Sequence, residues 1–281
     1  MKHIRVTALF LALLLLFSAC GAPDAPVTAP AGTEAGTEAE TEPETTRNID
    51  RTAEEIYLAH PELTPVDYDS PALLPKTEDA GMDYVDRLTF LCDSPTYWLR
   101  LYELLSGGYS TTQVWTGPEG TMTLAYLRGF RILDPIDGVE RTIPEAVEKH
   151  KPPVIVIALG VNGIAFMDQE SFTEEYSHLI GEIRAASPET EILLQSIYPI
   201  SPKFSNWGSI TNAKITAANR WILRMAEKFG LHYIDAFSCL VGEDGNILPE
   251  LVMKDGLHPN KEGLTRVLAY IRTHAYLPDG E

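Results

Sequence analysis

The run Val154-Ile155-Val156-Ile157-Ala158-Leu159 constrains the fold more than any other stretch of the chain. Side chains alternate between two faces along a strand, so a strand apolar at every position must be covered on both faces. The run therefore predicts an inner strand of a parallel sheet with helices packed on either side.

The surrounding sequence supplies the rest of such a sheet. Residues 88–92 read as a buried strand that leads into a helix over 97–105, closed by Gly107-Gly108. Residues 113–115 form a second strand. Residues 131–133 and 139–142 flank Asp134-Pro135-Ile136-Asp137-Gly138, a hairpin signal. A short helix over 144–150 starts on proline, where the missing N–H costs nothing. Ser171 is the expected cap of a helix that places Phe172, Tyr176, Leu179 and Ile183 on one face. Strands over 191–197 and 232–236, and helices over 212–229 and 261–274, complete the alternation, with Gly230 ending the longer helix. Strand–helix repetition of this kind predicts a three-layer α/β/α fold with a central parallel sheet. The Pro-rich stretch 49–82 is expected to wrap the domain as extended chain, with a short helix near 53–59.

In open parallel sheets the working groups lie beyond the carboxyl ends of the strands. The first strand ends at Asp93-Ser94, and the aliphatic strand ends at Gly160-Val161-Asn162-Gly163. The loop before the last helix reads Asp255-Gly256-Leu257-His258. Nucleophile, oxyanion donor, base and base-orienting carboxylate, the parts needed for acyl transfer, thus converge on one sheet edge. Each has a plainer reading. Ser94-Pro95 fits a helix N-cap followed by the first helical residue, Asn162-Gly163 is a common turn dipeptide, and His258 is a loop histidine. Their order and placement together favour chemistry.

On these blocks the chain resembles the SGNH (GDSL) hydrolase family of esterases and lipases over about 88–271, and the resemblance implies a flavodoxin-like fold. Cys92-Asp93-Ser94 stands for the family's Gly-Asp-Ser block, with Ser94 as nucleophile. Gly160-Val161-Asn162 matches its Gly-x-Asn block, with Asn162 giving its amide to the oxyanion. Asp255-Gly256-Leu257-His258 matches its Asp-x-x-His block, with His258 as base and Asp255 fixing its tautomer. The remaining block supplies a glycine N–H after the second strand, alongside the N–H of Ser94. Here Gly117 and Gly120 are available, and Gly120 is favoured because Gly117 precedes a proline. Two positions depart from the pattern: Cys92 replaces glycine, which bears on the placement of the Ser94 N–H, and Gly163 replaces an aspartate. Cys92 is not a rival nucleophile, since an apolar strand keeps its thiol protonated. Neither a metal site nor a phosphate-binding glycine loop is expected; His150, His178, His232 and His274 lack ligand spacing. No cofactor is called for. Trp98 and Trp207 are sugar-stacking candidates whose plainer fate is packing.

The first residues carry a different message. Lys2 and Arg5 precede an apolar run over 6–17, too short to span a bilayer permanently, and then Ser18-Ala19-Cys20. Leu16-Phe17-Ser18-Ala19-Cys20 resembles the lipobox of bacterial lipoproteins, which implies a signal peptide over 1–19 and lipid on Cys20. Residues 21–48, rich in Ala, Thr, Pro, Gly and Glu, read as an acidic disordered linker whose ends lie roughly 30 Å apart. The domain is then 49–281. A net charge of −18 disfavours nucleic acid and electrostatic adhesion to an anionic membrane, leaving the lipid as the anchor. Cys92 and Cys239 read as two buried thiols. The expectation is an extracytoplasmic, lipid-anchored serine esterase acting on O-acetyl groups of cell-wall or secreted polysaccharide. A lipase or lysophospholipase, or a non-catalytic carbohydrate-binding lipoprotein, are the other readings. Natural substrate and oligomeric state are not legible.

Overall fold

The aliphatic run forms β5 (Val154–Ala158), and all five of its residues are buried in the computed structural model. The structure describes residues 66–205 and 209–278. The signal sequence, Cys20, the linker, the helix expected near 53–59 and Trp207 lie outside the described residues.

β5 is the middle strand of five. It pairs in parallel with β1 (Leu88–Cys92) on one side and β6 (Glu191–Gln195) on the other. β2 (Val114–Trp115) and β7 (His232–Ile234) complete the order β2-β1-β5-β6-β7. A separate antiparallel hairpin joins β3 (Arg131–Leu133) to β4 (Glu140–Thr142). The order reverses between β1 and β5, and the crevice above such a switch is where open α/β sheets bind ligands.

Strand alternation divides the core in two. Leu91, Ile155, Ile157, Ile192 and Leu194 face α3 (Ile143–His150), α4 (Gln169–Ala186) and α5 (Asn212–Phe229). Phe90, Cys92, Val154, Val156 and Leu193 face α1 (Gly81–Val85), α2 (Ser94–Leu101) and α6 (Lys261–Thr273). The three-layer α/β/α arrangement is as expected. The helices take the faces their periodicity dictates: Phe172, Tyr176, Leu179 and Ile183 of α4 are all buried.

Several boundaries differ from the sequence expectation. α4 is capped by Asp168, whose side chain accepts the Ser171 N–H, so Ser171 is inside the first turn. α2 begins three residues early and stops at Leu101. Glu103 there adopts a left-handed φ of 56°, and the N–H groups of Glu103 and Leu104 return to Arg100 and Leu99 carbonyls. That is a Schellman closure made without glycine. α1 has no counterpart in the expectation, being too short to show a period. The described part of the Pro-rich segment does run extended: Ala72–Leu74 brackets Tyr233 with two backbone hydrogen bonds and covers the β7 edge.

His150 has a structural partner. Its Nε2 lies 2.5 Å from Oδ2 of the fully buried Asp134, which also accepts from Arg141 at 2.6 Å. This fastens the β3–β4 hairpin to α3.

Asp235, just beyond β7, is 1% exposed, and neither carboxylate oxygen has a hydrogen-bond partner among the described residues. Burial pushes this carboxyl from 3.8 up to about 7. Between these values the folded state holds a proton that the unfolded state has released. The stabilisation is complete below pH 4 and is lost as pH rises through 7. Asp235→Asn, which carries no charge at any pH, should therefore melt higher than wild type at pH 8, by on the order of 5 °C. The gap should narrow as pH falls and close only below about pH 4. Equal melting temperatures at pH 8 would show that the ionised carboxylate is not a burden to the fold.

Candidate active site

β1 delivers its last residue, Cys92, into the core in regular strand geometry beside Ala158, with no left-handed backbone. The thiol is fully buried against the α1, α2 and α6 layer, and burial raises its pKa well above the ordinary value. Cysteine here therefore costs the turn nothing that glycine would save, and it is chemically quiet.

The turn itself is made by Asp93. Its extended backbone (φ −87°, ψ −174°) makes it the N-cap of α2, so Ser94 is the first helical residue and not the cap. The Asp93 side chain makes no cap hydrogen bond. Instead Oδ2 crosses to β5 and accepts the N–H groups of Gly160 (3.0 Å) and Val161 (3.2 Å). Burial pushes this carboxyl up to about 7, and the two N–H bonds oppose that rise. One carboxyl thus ties the residue before Ser94 to the loop that carries Asn162. Gly160 is required there: its φ is +135°, and a Cβ would lie 2.8 Å from Ile197 Cδ1 and 3.0 Å from Phe172 Cζ.

Asn162 Nδ2 donates to Thr121 Oγ1 at 3.1 Å and to Met122 O at 3.0 Å, joining the β5 loop to the segment after β2. Gly120, the glycine expected to serve the oxyanion hole, donates its N–H to Gly117 O at 2.9 Å, closing a turn in which it takes φ +72°. Gly-Pro-Glu-Gly makes this turn, so this N–H has an internal partner, as both hydrogens of the Asn162 amide do. Tyr97 of α2 packs so closely that a Cβ on Gly120 would meet its ring at 2.5 Å.

The third loop holds its own shape. Met253 and Gly256 close a turn, and Met253 N–H reaches His258 O at 2.8 Å. Asp255 Oδ1 accepts the N–H groups of Leu257 (2.9 Å) and His258 (3.1 Å), an Asx turn that brings the side chains of Asp255 and His258 together. Oδ2 is 2.8 Å from His258 Nδ1, and His258 Nε2 is 2.9 Å from Ser94 Oγ. Burial alone would raise the Asp255 carboxyl. The hydrogen bonds from the His258 ring and the two N–H groups outweigh it and hold the pKa below the ordinary value. With Asp255 ionised, Nδ1 carries the ring proton and Nε2 is left as an acceptor for the serine hydroxyl. The arrangement can move a proton from Ser94 to His258.

The structure thus brings Ser94, His258 and Asp255 into one hydrogen-bonded line, with Asn162 on the adjacent loop. Trp98 packs 6.0 Å from the His258 ring and 5.2 Å from Tyr102. A cavity of about 10 Å³ lies beside the start of α2, lined in part by Pro95, Thr96, Leu159 and Leu257. Two contributors were not assigned a role in the sequence: the Asp93 clamp and the Thr121 hydroxyl. Asp93 was visible inside the block that carries Ser94, but nothing in a sequence says where a carboxylate points.

A profile of the GDSL-like Lipase/Acylhydrolase family matches residues 91–266. A comparison with curated proteins returned no match. Among solved structures, a Streptococcus pneumonia protein described as a candidate platelet activating factor is similar in fold. Its TM-score is 0.50 at 19% identity, over 80% of this chain and 92% of that one. A candidate acylhydrolase from Bacteroides fragilis NCTC 9343 gives 0.49 at 20% identity, over 71% of this chain and 88% of that one. A GDSL-like lipase from Bacteroides thetaiotaomicron VPI-5482 gives 0.46 at 19% identity, over 67% and 87%.

Proposed function

We propose, from the premise that the chain belongs to the GDSL-like lipase/acylhydrolase family and is a hydrolase acting on esters, that it deacetylates cell-wall or secreted polysaccharide through Ser94. The observation that carries this reading is the line Asp255–His258–Ser94, with contacts of 2.8 and 2.9 Å. Ser94 Oγ attacks the ester carbonyl as His258 Nε2 takes its proton. The C=O electron pair moves onto oxygen, and the tetrahedral intermediate then collapses to an acyl-serine. His258 returns the proton to the departing sugar hydroxyl. Water, deprotonated by the same imidazole, releases acetate and restores Ser94.

The oxyanion needs donors. The Ser94 N–H stands in the first turn of α2, where helix N–H groups have no partner in the helix and the dipole favours negative charge. Asn162 supplies the second by exchanging the Thr121 hydroxyl for the substrate oxygen. A neutral acceptor is then replaced by an anionic one, whose hydrogen bond is about twice as strong. The gain arises only as charge develops, which is what accelerates a reaction.

Location completes the reading. Cleavage before Cys20 and lipid on its sulfur would hold the domain on a tether at the outer face of a bacterial cell membrane, where acetylated glycans lie.

The experiment expresses the full chain in bacteria and fractionates the cells. Activity on 4-nitrophenyl acetate should sit in the membrane fraction and move to the soluble fraction with Cys20→Ser. Rates should fall steeply from acetate to octanoate esters. Asn162→Ala should lower turnover by about a hundredfold while leaving the melting temperature near that of wild type. Soluble wild-type activity would sink the anchor, octanoate preference would make the protein a lipase, and full Asn162→Ala turnover would reduce Asn162 to a turn residue.

A further inference from the structure

Two large aromatic side chains stand open to solvent next to the catalytic loops. Tyr126 is 66% exposed and Phe166 is 59% exposed, and their ring centroids lie 6.2 Å apart with planes 31° from parallel. That separation makes them one continuous apolar surface.

Their position is set by the loops that carry Asn162 and its partners. Phe166 closes the short 3₁₀ turn Gly163–Ala165, which begins directly after Asn162. At the rise of such a turn, Phe166 is about 8 Å from Asn162 along the chain direction. Tyr126 ends the turn Leu124–Tyr126, which follows Thr121 and Met122, the two residues that accept from the Asn162 amide. The turns pack on each other: a Cβ on Gly163 would lie 3.5 Å from Leu124 Cβ. Hydrogen bonds and packing therefore tie both rings to the residue proposed to hold the ester oxygen.

We propose that Tyr126 and Phe166 form an aromatic platform that stacks against a sugar ring of the polysaccharide, beside the acetylated unit held at Ser94 and Asn162. This rests on the deacetylase reading and adds a carbohydrate subsite to it. An alkyl chain gains in proportion to the area removed from water around its whole circumference, and an open pair of rings covers one side only. A pyranose presents a flat C–H face and a rim of hydroxyls. Stacking buries the face and leaves the rim in water, which suits an open surface. A neutral ring also incurs no repulsion from a chain of charge −18, whereas an anionic phospholipid headgroup does.

The test measures binding, so that it stands apart from turnover. Full-length Ser94→Ala, which keeps the substrate intact, is titrated calorimetrically with O-acetylated xylotetraose. The same background carrying Tyr126→Ala and Phe166→Ala should bind about tenfold more weakly, with its melting temperature close to the parent's. Tyr126→Phe with Phe166→Tyr should restore the affinity, since either ring provides the face. Equal binding by the alanine pair, or no binding by Ser94→Ala, overturns the platform. So does a loss seen for lysophosphatidylcholine micelles but not for the oligosaccharide, or equal weakening by the ring-for-ring exchange. Failure of the deacetylase reading is read elsewhere, as 4-nitrophenyl acetate hydrolysis by wild type that Ser94→Ala does not reduce.

Discussion

Ser94→Ala should lower turnover of 4-nitrophenyl acetate by about 10⁴-fold or more, with little change in melting temperature. The expected size follows from what the hydroxyl does. On the proposed mechanism, removing Oγ leaves no atom to form the acyl intermediate, and His258 Nε2 loses the group 2.9 Å away whose proton it would take. What survives is the slow attack of water assisted by the remaining donors. The stability half of the result is equally specific. Were Ser94 the N-cap of α2, alanine would remove a capping bond and cost about 1 kcal/mol. Asp93 is the N-cap, and Ser94 lies inside the helix, where alanine is the best helix former. Activity should therefore disappear without a matching loss of fold. Comparable hydrolysis by wild type and variant would remove Ser94 from the chemistry, and the non-catalytic binding reading would take its place.

The difference between cap and first helical residue marks where the sequence was readable. The sheet was legible because burial on both faces leaves no polar position in β5, and because α4 and α5 repeat apolar residues at helical spacing over many turns. Cap assignment was not. Aspartate and serine are both good N-caps, so Asp93-Ser94 and Asp168…Ser171 each offered two choices, and serine was the wrong one both times. The site followed the same division. Asp255 and His258 are three apart in a loop, and local hydrogen bonds alone bring them together. Thr121 and Asn162 meet across a long sequence separation, through loops with no periodicity, and only tertiary structure reveals it. Gly120 shows the limit of residue type: the sequence places a glycine in the right segment, and only the structure shows that its N–H closes a turn. Tyr126 and Phe166 were invisible for a related reason, since isolated aromatics in loops look alike whether buried or exposed.

His258→Ala should cost about as much as Ser94→Ala, and the double variant should be no worse than either single one. On the proposed mechanism the two groups act as a unit: a serine without a base keeps its proton, and a base without the serine has nothing to deprotonate. Additive losses would show instead that each acts alone, and near wild-type turnover by His258→Ala would end the triad reading. Asp255→Asn should cost less, roughly a hundredfold in turnover. The Asp255 carboxyl stays ionised through the neutral range because its pKa is held below the ordinary carboxylate value. Asparagine removes that charge and can turn an N–H towards His258 Nδ1, favouring the tautomer whose Nε2 already carries a proton and cannot accept another. Yet the Asp255 side chain is 44% exposed, against 18% for His258. Water can reach it and replace part of what the carboxylate provides, and solvent screens the charge itself. The ranking of the variants thus follows from burial: the closer a group lies to Ser94 Oγ, the less water can substitute for it.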